Sequence, residues 1–270
     1  MHQKPKKSLG QNFLTDKNIQ EKIVQACKLK KTDIILEIGS GRGELTQHLL
    51  KVAKRVIAVE VDKELCELLT SKFSLSSNFE LVNKDILKTN LVNLIGCQGS
   101  GRIRVIANIP YYISTPIIAY LLDYNQSIEV IYLTLQKELA LRLTAGPGNK
   151  SYGALSCFAQ FYTHPKILFS IKGSSFWPRP KVDSCFVELK MLPKPKVKVK
   201  NETFFFKLIR LAFNQRRKLL KNSLARLFPQ VKIADCLKAI ALKQKIRAEE
   251  LALSDFAKVA DYFADKHIPD

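Results

Sequence analysis

The sequence predicts an α/β domain built on a mostly parallel sheet, followed by a small all-helical domain. Three observations carry that expectation. Short β-branched runs alternate with helical periodicity through the first part of the chain. Two later strand-like runs, 166–171 and 184–192, have no helical pattern between them and fit an antiparallel pair at the sheet edge. Beyond a lysine- and proline-rich stretch at 193–201, everything reads as helix.

In order, a strand at 34–36 leads to a helix at 44–52, and a strand at 56–59 leads to a helix at 63–73. Strands follow at 79–82, at 103–107 before a helix at 116–124, and at 130–135 before a helix at 136–144. The helical part comprises 202–213, 215–227, 233–241, a short run at 248–251, and 254–263, with Ser254 placed to cap the last. The domain boundary falls between 1–195 and 196–270. No internal repeat is present.

Composition narrows the partners. The 270 residues are 46% hydrophobic, enough for a sizeable core, and carry a formal net charge of +20. Such an excess repels itself in the compact state and points to a polyanion, nucleic acid ahead of an anionic membrane surface. The start, MHQKPKKSLGQNFL, lacks the apolar core of a signal peptide, and no apolar run is long enough to span a bilayer. Cys27, Cys66, Cys97, Cys157, Cys185 and Cys236 are scattered, without C-x-x-C pairs or zinc spacing. They read as reduced thiols of a cytoplasmic protein, with no structural metal expected.

The stretch ILEIGSGRGEL joins a strand, a glycine turn and a helix start. Gly39, Gly41 and Gly43 allow a tight turn and close backbone approach to a ligand, in a G-x-G-x-G spacing distinct from the dinucleotide G-x-G-x-x-G. Glu37, just before them, suits a ligand bearing an ammonium group. Glu60 ends the second strand, where an acid can bind ribose hydroxyls, and Asp85 ends the third. Each acid alone could be a helix cap, and three glycines alone a structural turn. Together they describe a nucleoside lying across strand ends, with S-adenosylmethionine the better fit and NAD the runner-up.

The fourth strand stops at Asn108, followed by Ile109, Pro110, Tyr111 and Tyr112. The Asn108 amide oxygen and the Ile109 carbonyl, its direction held by Pro110, provide two acceptors for the two N–H groups of an exocyclic amine. Tyr111 supplies a face for the base. The plain alternative is a β-turn, ordinary chemistry for Asn-x-Pro.

Taken jointly, SLGQNFL, EIGSGRGEL, NIPYYISTP, LQKELALRL, PRPKVDS and AFNQRRKLLKNSL resemble the small-subunit ribosomal RNA adenine dimethyltransferases, the kasugamycin-sensitivity family, over nearly the whole chain. The resemblance implies a Rossmann-like class I methyltransferase sheet with S-adenosylmethionine as cofactor. It implies donor contacts from Asn12, Leu14, Gly39, Gly41, Glu60, Asp85 and Asn108. It implies Tyr111 and Phe176 holding a flipped adenine beside Asn108, Ile109 and Pro110. The implied partner is 16S rRNA, in the small subunit or its precursor, dimethylated at two adjacent adenosines of a hairpin loop near its 3′ end by a monomer. Trp177 and Arg179 receive no role from it.

Residues 213–228 read as a basic helix in which Arg216, Arg217, Lys218 and Lys221 meet RNA phosphates, against the bland alternative of a solvated face. Lys4, Lys6 and Lys7 are weaker candidates. Three competing functions are a large-subunit adenine dimethylase conferring macrolide resistance, a non-catalytic ribosome-assembly factor, and an NAD-dependent dehydrogenase. SLGQNFL weighs against the first, an intact Asn108-Ile109-Pro110-Tyr111 against the second, and the glycine spacing against the third.

Overall fold

The computed structural model describes residues 4–95 and 102–264, so Cys97 lies outside the described residues. The chain divides into two compact units, Met1–Ala140 with Pro165–Met191, and Leu141–His164 with Leu192–Asp270. The sequence-based boundary puts 141–164 in the first domain, whereas the structure groups them with the helices. The reason is apolar: Tyr152, Cys157 and Phe161 share one buried cluster with Phe204, Phe205, Leu208 and Phe213.

The strands are β1 (Phe13–Leu14), β2 (Ile34–Ile38), β3 (Arg55–Glu60), β4 (Phe79–Asn83), β5 (Ile103–Ala107), β6 (Ile128–Gln136), β7 (Thr163–Ile171), β8 (Phe176–Trp177) and β9 (Ser184–Met191). Seven form one sheet in the order β4-β3-β2-β5-β6-β9-β7, and β1 pairs with β8 in a separate ribbon. The pairs β2/β3, β2/β5, β3/β4 and β5/β6 are parallel, and β9 runs antiparallel to β6. Central strands of a sheet covered on both faces need apolar residues at every position. β3 and β5 are accordingly buried almost throughout, whereas β4, at the edge, is only half-buried.

Helices of this part are α1 (Lys17–Ala26), α2 (Thr46–Leu49), α3 (Lys63–Lys72), α4 (Leu91–Ile95) and α5 (Ser114–Asp123). α2 is much shorter than expected, because residues 41–45 and 50–52 are turns. α1 has no counterpart in the sequence reading. Asp16 starts it by accepting hydrogen bonds from the backbone N–H groups of Asn18 and Ile19. The strand order reverses between β2 and β5: the chain moves outward one way from β2 to β3 and β4, then returns to β5 on the other side. Such a switch point leaves a crevice at the carboxyl ends of the two adjacent strands.

The second unit contains α7 (Ala154–Tyr162), α8 (Glu202–Asn214), α9 (Leu220–Ser223), α10 (Gln230–Ala239) and α11 (Leu253–Ala264), with α6 (Lys137–Thr144) crossing into it. The helix expected over 213–228 is broken. α8 ends at Asn214, Leu219 is extended and bridges Arg247, and the Leu220 N–H donates to the Ile246 carbonyl at 2.8 Å. Burying Leu220 and Leu224 completely fixes this course. Ser254 does not cap α11 but sits inside its first turn. Asp255 reaches back instead, accepting from the Ala252 N–H at 3.0 Å. Residues Ala248–Glu250 form a single 3-10 turn.

Candidate functional site

A cavity of about 230 Å³ opens at the switch point. Its wall comes from the segments following β2, β3, β4 and β5, and from residues Leu9–Leu14 ahead of α1. Asn12, Leu14, Gly39, Gly41, Glu60, Asp85, Asn108, Ile109, Pro110 and Tyr111 all line it.

The glycine turn is shaped for close approach. Gly39 has φ +72°, a left-handed conformation that favours glycine, and a Cβ there would make only an ordinary 3.6 Å contact with the Asn108 carbonyl. That proximity follows from the parallel register, which places Ile38 beside Ala107. Gly43 serves packing rather than ligand, because a Cβ there would fall 2.7 Å from the Phe73 ring.

Three acids occupy distinct settings. Glu37 is 2% exposed and accepts a hydrogen bond from the Thr46 hydroxyl at 2.6 Å. Burial pushes its carboxyl up to about 8; the Thr46 hydroxyl opposes the rise, and the charges of Glu44 and Glu60 add to it. Ser40 is buried beside it on the cavity wall, and its hydroxyl, like that of Thr46, draws the Glu37 carboxyl down. Glu60 accepts from the N–H groups of Gly41, Val61 and Asp62 at 2.9–3.0 Å. Burial raises its carboxyl above the ordinary range, and those backbone donors pull it back. Asp85 starts a 3-10 turn by accepting from the Leu87 N–H at 3.0 Å.

Asn108 is oriented by one bond. Its Nδ2 donates to the Asn12 carbonyl at 3.1 Å, which leaves Oδ1 as an acceptor. No described donor occupies the Ile109 carbonyl. Tyr111 is anchored by a 2.7 Å hydrogen bond between its hydroxyl and that of Ser184. Burial raises its phenol above the usual value, and the Ser184 contact counters this.

The segment ahead of α1 is tied over the cavity. Lys6 Nζ lies 2.7 Å from Asp62 and 3.1 Å from Glu64, and Gln11 Nε2 donates to Asp62 at 2.9 Å. Lys6 is therefore engaged within the chain rather than presented to a polyanion. Burial alone would raise the Asp62 carboxyl, but Lys6 and Gln11 outweigh it and hold it below its usual value. The sequence reading missed Lys6, Gln11 and Asp62 as a unit. Contacts across more than fifty positions leave no local pattern.

Phe176 does not line the cavity. It is 4% exposed, pairs with Leu14, and packs in the core cluster with Phe186 and Tyr132. In the helical unit Arg217 and Lys218 are exposed and Lys221 is half-buried. Arg216 donates to the Lys150 carbonyl at 2.8 Å and lies 3.4 Å from Glu249. Among the described residues, no group of three His, Cys, Asp or Glu is placed to hold a metal, and no helix is long and apolar enough to cross a membrane.

The donor set fits a nucleoside joined to a cationic group. Glycines bring backbone close, Glu60 and Asp85 offer acceptors, and Glu37 with the buried Ser40 hydroxyl forms a polar recess suited to a cation.

A family model described as ribosomal RNA adenine dimethylase matches residues 2–265. The chain is 42% identical over 267 residues to the ribosomal RNA small subunit methyltransferase A of Lachnoclostridium phytofermentans, covering 96% of this chain and 92% of that protein. Among solved structures, a dimethyladenosine transferase from Plasmodium falciparum superposes with a TM-score of 0.80 at 29% identity, covering 95% of this chain and 98% of that one. The 23S rRNA methyltransferase ErmE superposes with a TM-score of 0.72 at 22% identity, over 94% of this chain and 100% of that one, which shows a shared fold alone.

Proposed function

The chain belongs to the ribosomal RNA adenine dimethylase family, and from that membership and the geometry above we propose how it works. It is an S-adenosylmethionine-dependent methyltransferase that dimethylates the N6 amines of two adjacent adenosines near the 3′ end of 16S rRNA. The observation that carries the mechanism is the Asn108 side-chain amide, oriented by the Asn12 carbonyl in the cavity at the switch point.

When bound, S-adenosylmethionine supplies an electrophilic methyl on a sulfonium sulfur. Glu60 and Asp85 hold the nucleoside end of the donor, and Gly39 and Gly41 let the backbone lie against it. Asn12 and Leu14 cover it from the segment ahead of α1. Glu37 and Ser40 receive the ammonium.

A stacked adenine cannot present its amine to this cavity, so the substrate base must be unstacked, as in a hairpin loop. Tyr111, pinned by Ser184, offers its ring to the base. In the first transfer Asn108 Oδ1 and the Ile109 carbonyl would accept the two amine N–H groups, with Pro110 fixing the peptide's direction; in the second the methylated amine keeps one N–H for one of these acceptors. Such directed acceptors would favour a pyramidal nitrogen whose lone pair faces the methyl. As the N–C bond formed and the S–C bond broke, the thioether would leave and the acidified amine proton would pass to solvent water, so alignment and electrostatics replace a strong general base. Phe176 supports this wall from the core through Leu14.

Arg216, Arg217, Lys218 and Lys221 take RNA phosphates in our reading, consistent with the net charge of +20. The enzyme works as a monomer in the cytoplasm, on the small subunit or its precursor. Incubation with labelled S-adenosylmethionine and separated small and large subunits tests the assignment. Label in the small-subunit RNA is expected. Label confined to the large-subunit RNA would make this a large-subunit dimethylase, and subunit binding without label would favour the assembly-factor reading.

A further inference from the structure

Phe176 and Trp177 are neighbours on β8 but point to opposite sides, as strand residues must. Phe176 enters the core, while Trp177 is 44% exposed. A single exposed apolar side chain is ordinary, but Trp177 is not isolated. It pairs with Phe13, whose side chain lines the donor cavity. The Arg42 guanidinium carbon lies 4.9 Å from the Trp177 ring centroid and 4.2 Å from that of Phe13. An indole backed by a planar guanidinium, one residue from the cavity wall, is a flat apolar surface with positive charge behind it. The chain then continues through Arg179 and Lys181, both exposed.

Single-stranded RNA loops are recognised by bases stacked on aromatic side chains and guanidinium planes, with cations tracking the backbone. An enzyme acting on two adjacent adenosines also leaves one of them outside the cavity while the other reacts. That second base has lost its neighbour and needs a partner.

We propose that Trp177, backed by Arg42, is the stacking platform for the nucleotide adjoining the target adenosine, with Arg179 and Lys181 receiving its phosphates. This surface rests on the RNA-methylating reading above and assigns it a further contact. It also gives the exposed aromatic of the SSFWPRPKVDS stretch a task distinct from that of the buried Phe176.

The chain has one tryptophan, so tryptophan fluorescence reports on position 177 directly. Titration with an RNA hairpin carrying two adjacent loop adenosines should quench it saturably, and a fully paired duplex should not. Trp177→Ala should raise the RNA KM about 5- to 150-fold, the range for losing one stacked base, with kcat and donor affinity unchanged. Trp177→Phe should recover most of that loss. Unaltered fluorescence while filter retention shows the hairpin bound would overturn the platform. So would an unchanged KM in Trp177→Ala, or donor affinity falling in step with KM, since that would make Trp177 only a brace for Phe13. Saturable quenching by wild-type enzyme that transfers no methyl would leave the platform standing and overturn the proposed reaction instead.

Discussion

Replacing Glu37 with glutamine separates shape from charge at the deepest acid of the cavity. In the folded chain burial raises this carboxyl from 4.5 to about 8, while the Thr46 hydroxyl donates to it at 2.6 Å. Below pH 8 most of it is therefore protonated, and a donor whose ammonium needs the carboxylate must first expel that proton. The ionised fraction falls tenfold per pH unit, to about 1% at pH 6. Donor affinity should accordingly weaken by up to about 50-fold, or ~2.3 kcal/mol, between pH 8, where half is ionised, and pH 6. Above pH 8 the donor's own amine begins to lose its proton, so the optimum lies near pH 8. Glutamine can still accept from Thr46 but cannot titrate, so Glu37→Gln should bind more weakly at pH 8 and show a flat profile down to pH 6. Stability moves the opposite way. A carboxyl with a raised folded pKa is stabilised below 4.5 and loses that advantage as pH climbs through about 8. The glutamine variant should then resist urea better than wild type at pH 9, by up to several kcal/mol. Titration calorimetry with S-adenosylmethionine from pH 6 to 8 measures the first effect. A wild-type affinity that stays constant over that range, or a glutamine variant that keeps the wild-type slope, would mean that donor binding does not require the ionised Glu37 carboxylate.

Asn108→Ala removes one directed acceptor from the amine and should lower kcat by about 10²- to 10³-fold while RNA retention on filters stays near normal. Near-normal turnover would remove Asn108 from the mechanism. Arg216→Ala with Arg217→Ala should weaken RNA binding and reduce the slope of log K against log salt by about 1.4, the release expected for two single-strand phosphate contacts. Gly43→Ala combines a strained φ of +79° with a Cβ 2.7 Å from Phe73. Thermal unfolding should show a loss of roughly 2–3 kcal/mol.

The parallel core was readable because its strands are short apolar runs separated by helical periodicity, and the cavity was readable because its residues end those strands. Glu37, Gly39, Glu60, Asp85 and Asn108 converge because parallel strands deliver their carboxyl ends to one edge, an arrangement implied by the alternation alone. The parts that escaped depend on distant partners. α1 precedes the first strand of the alternation and buries only Gln20 and Ile23, and the β1/β8 ribbon joins residues about 160 positions apart. The basic run at 215–218 keeps helical composition, yet burial of Leu220 and Leu224 and the Leu219–Arg247 bridge break it. Phe176 and Trp177 show the same limit most simply. Adjacent aromatics look equivalent in sequence, and only the β8 pairing decides which one enters the core.

In the proposed reaction this cavity places two methyl groups on each of two neighbouring adenosine amines. Nucleoside mass spectrometry after complete digestion of the RNA tests it, using small subunits from a strain lacking the modification, incubated with the protein and S-adenosylmethionine. N6,N6-dimethyladenosine is expected at two residues per small-subunit RNA, mapped to adjacent positions in the loop near the 3′ end. Methylation of a ring nitrogen or ribose hydroxyl, or of no adenosine at all, would contradict it.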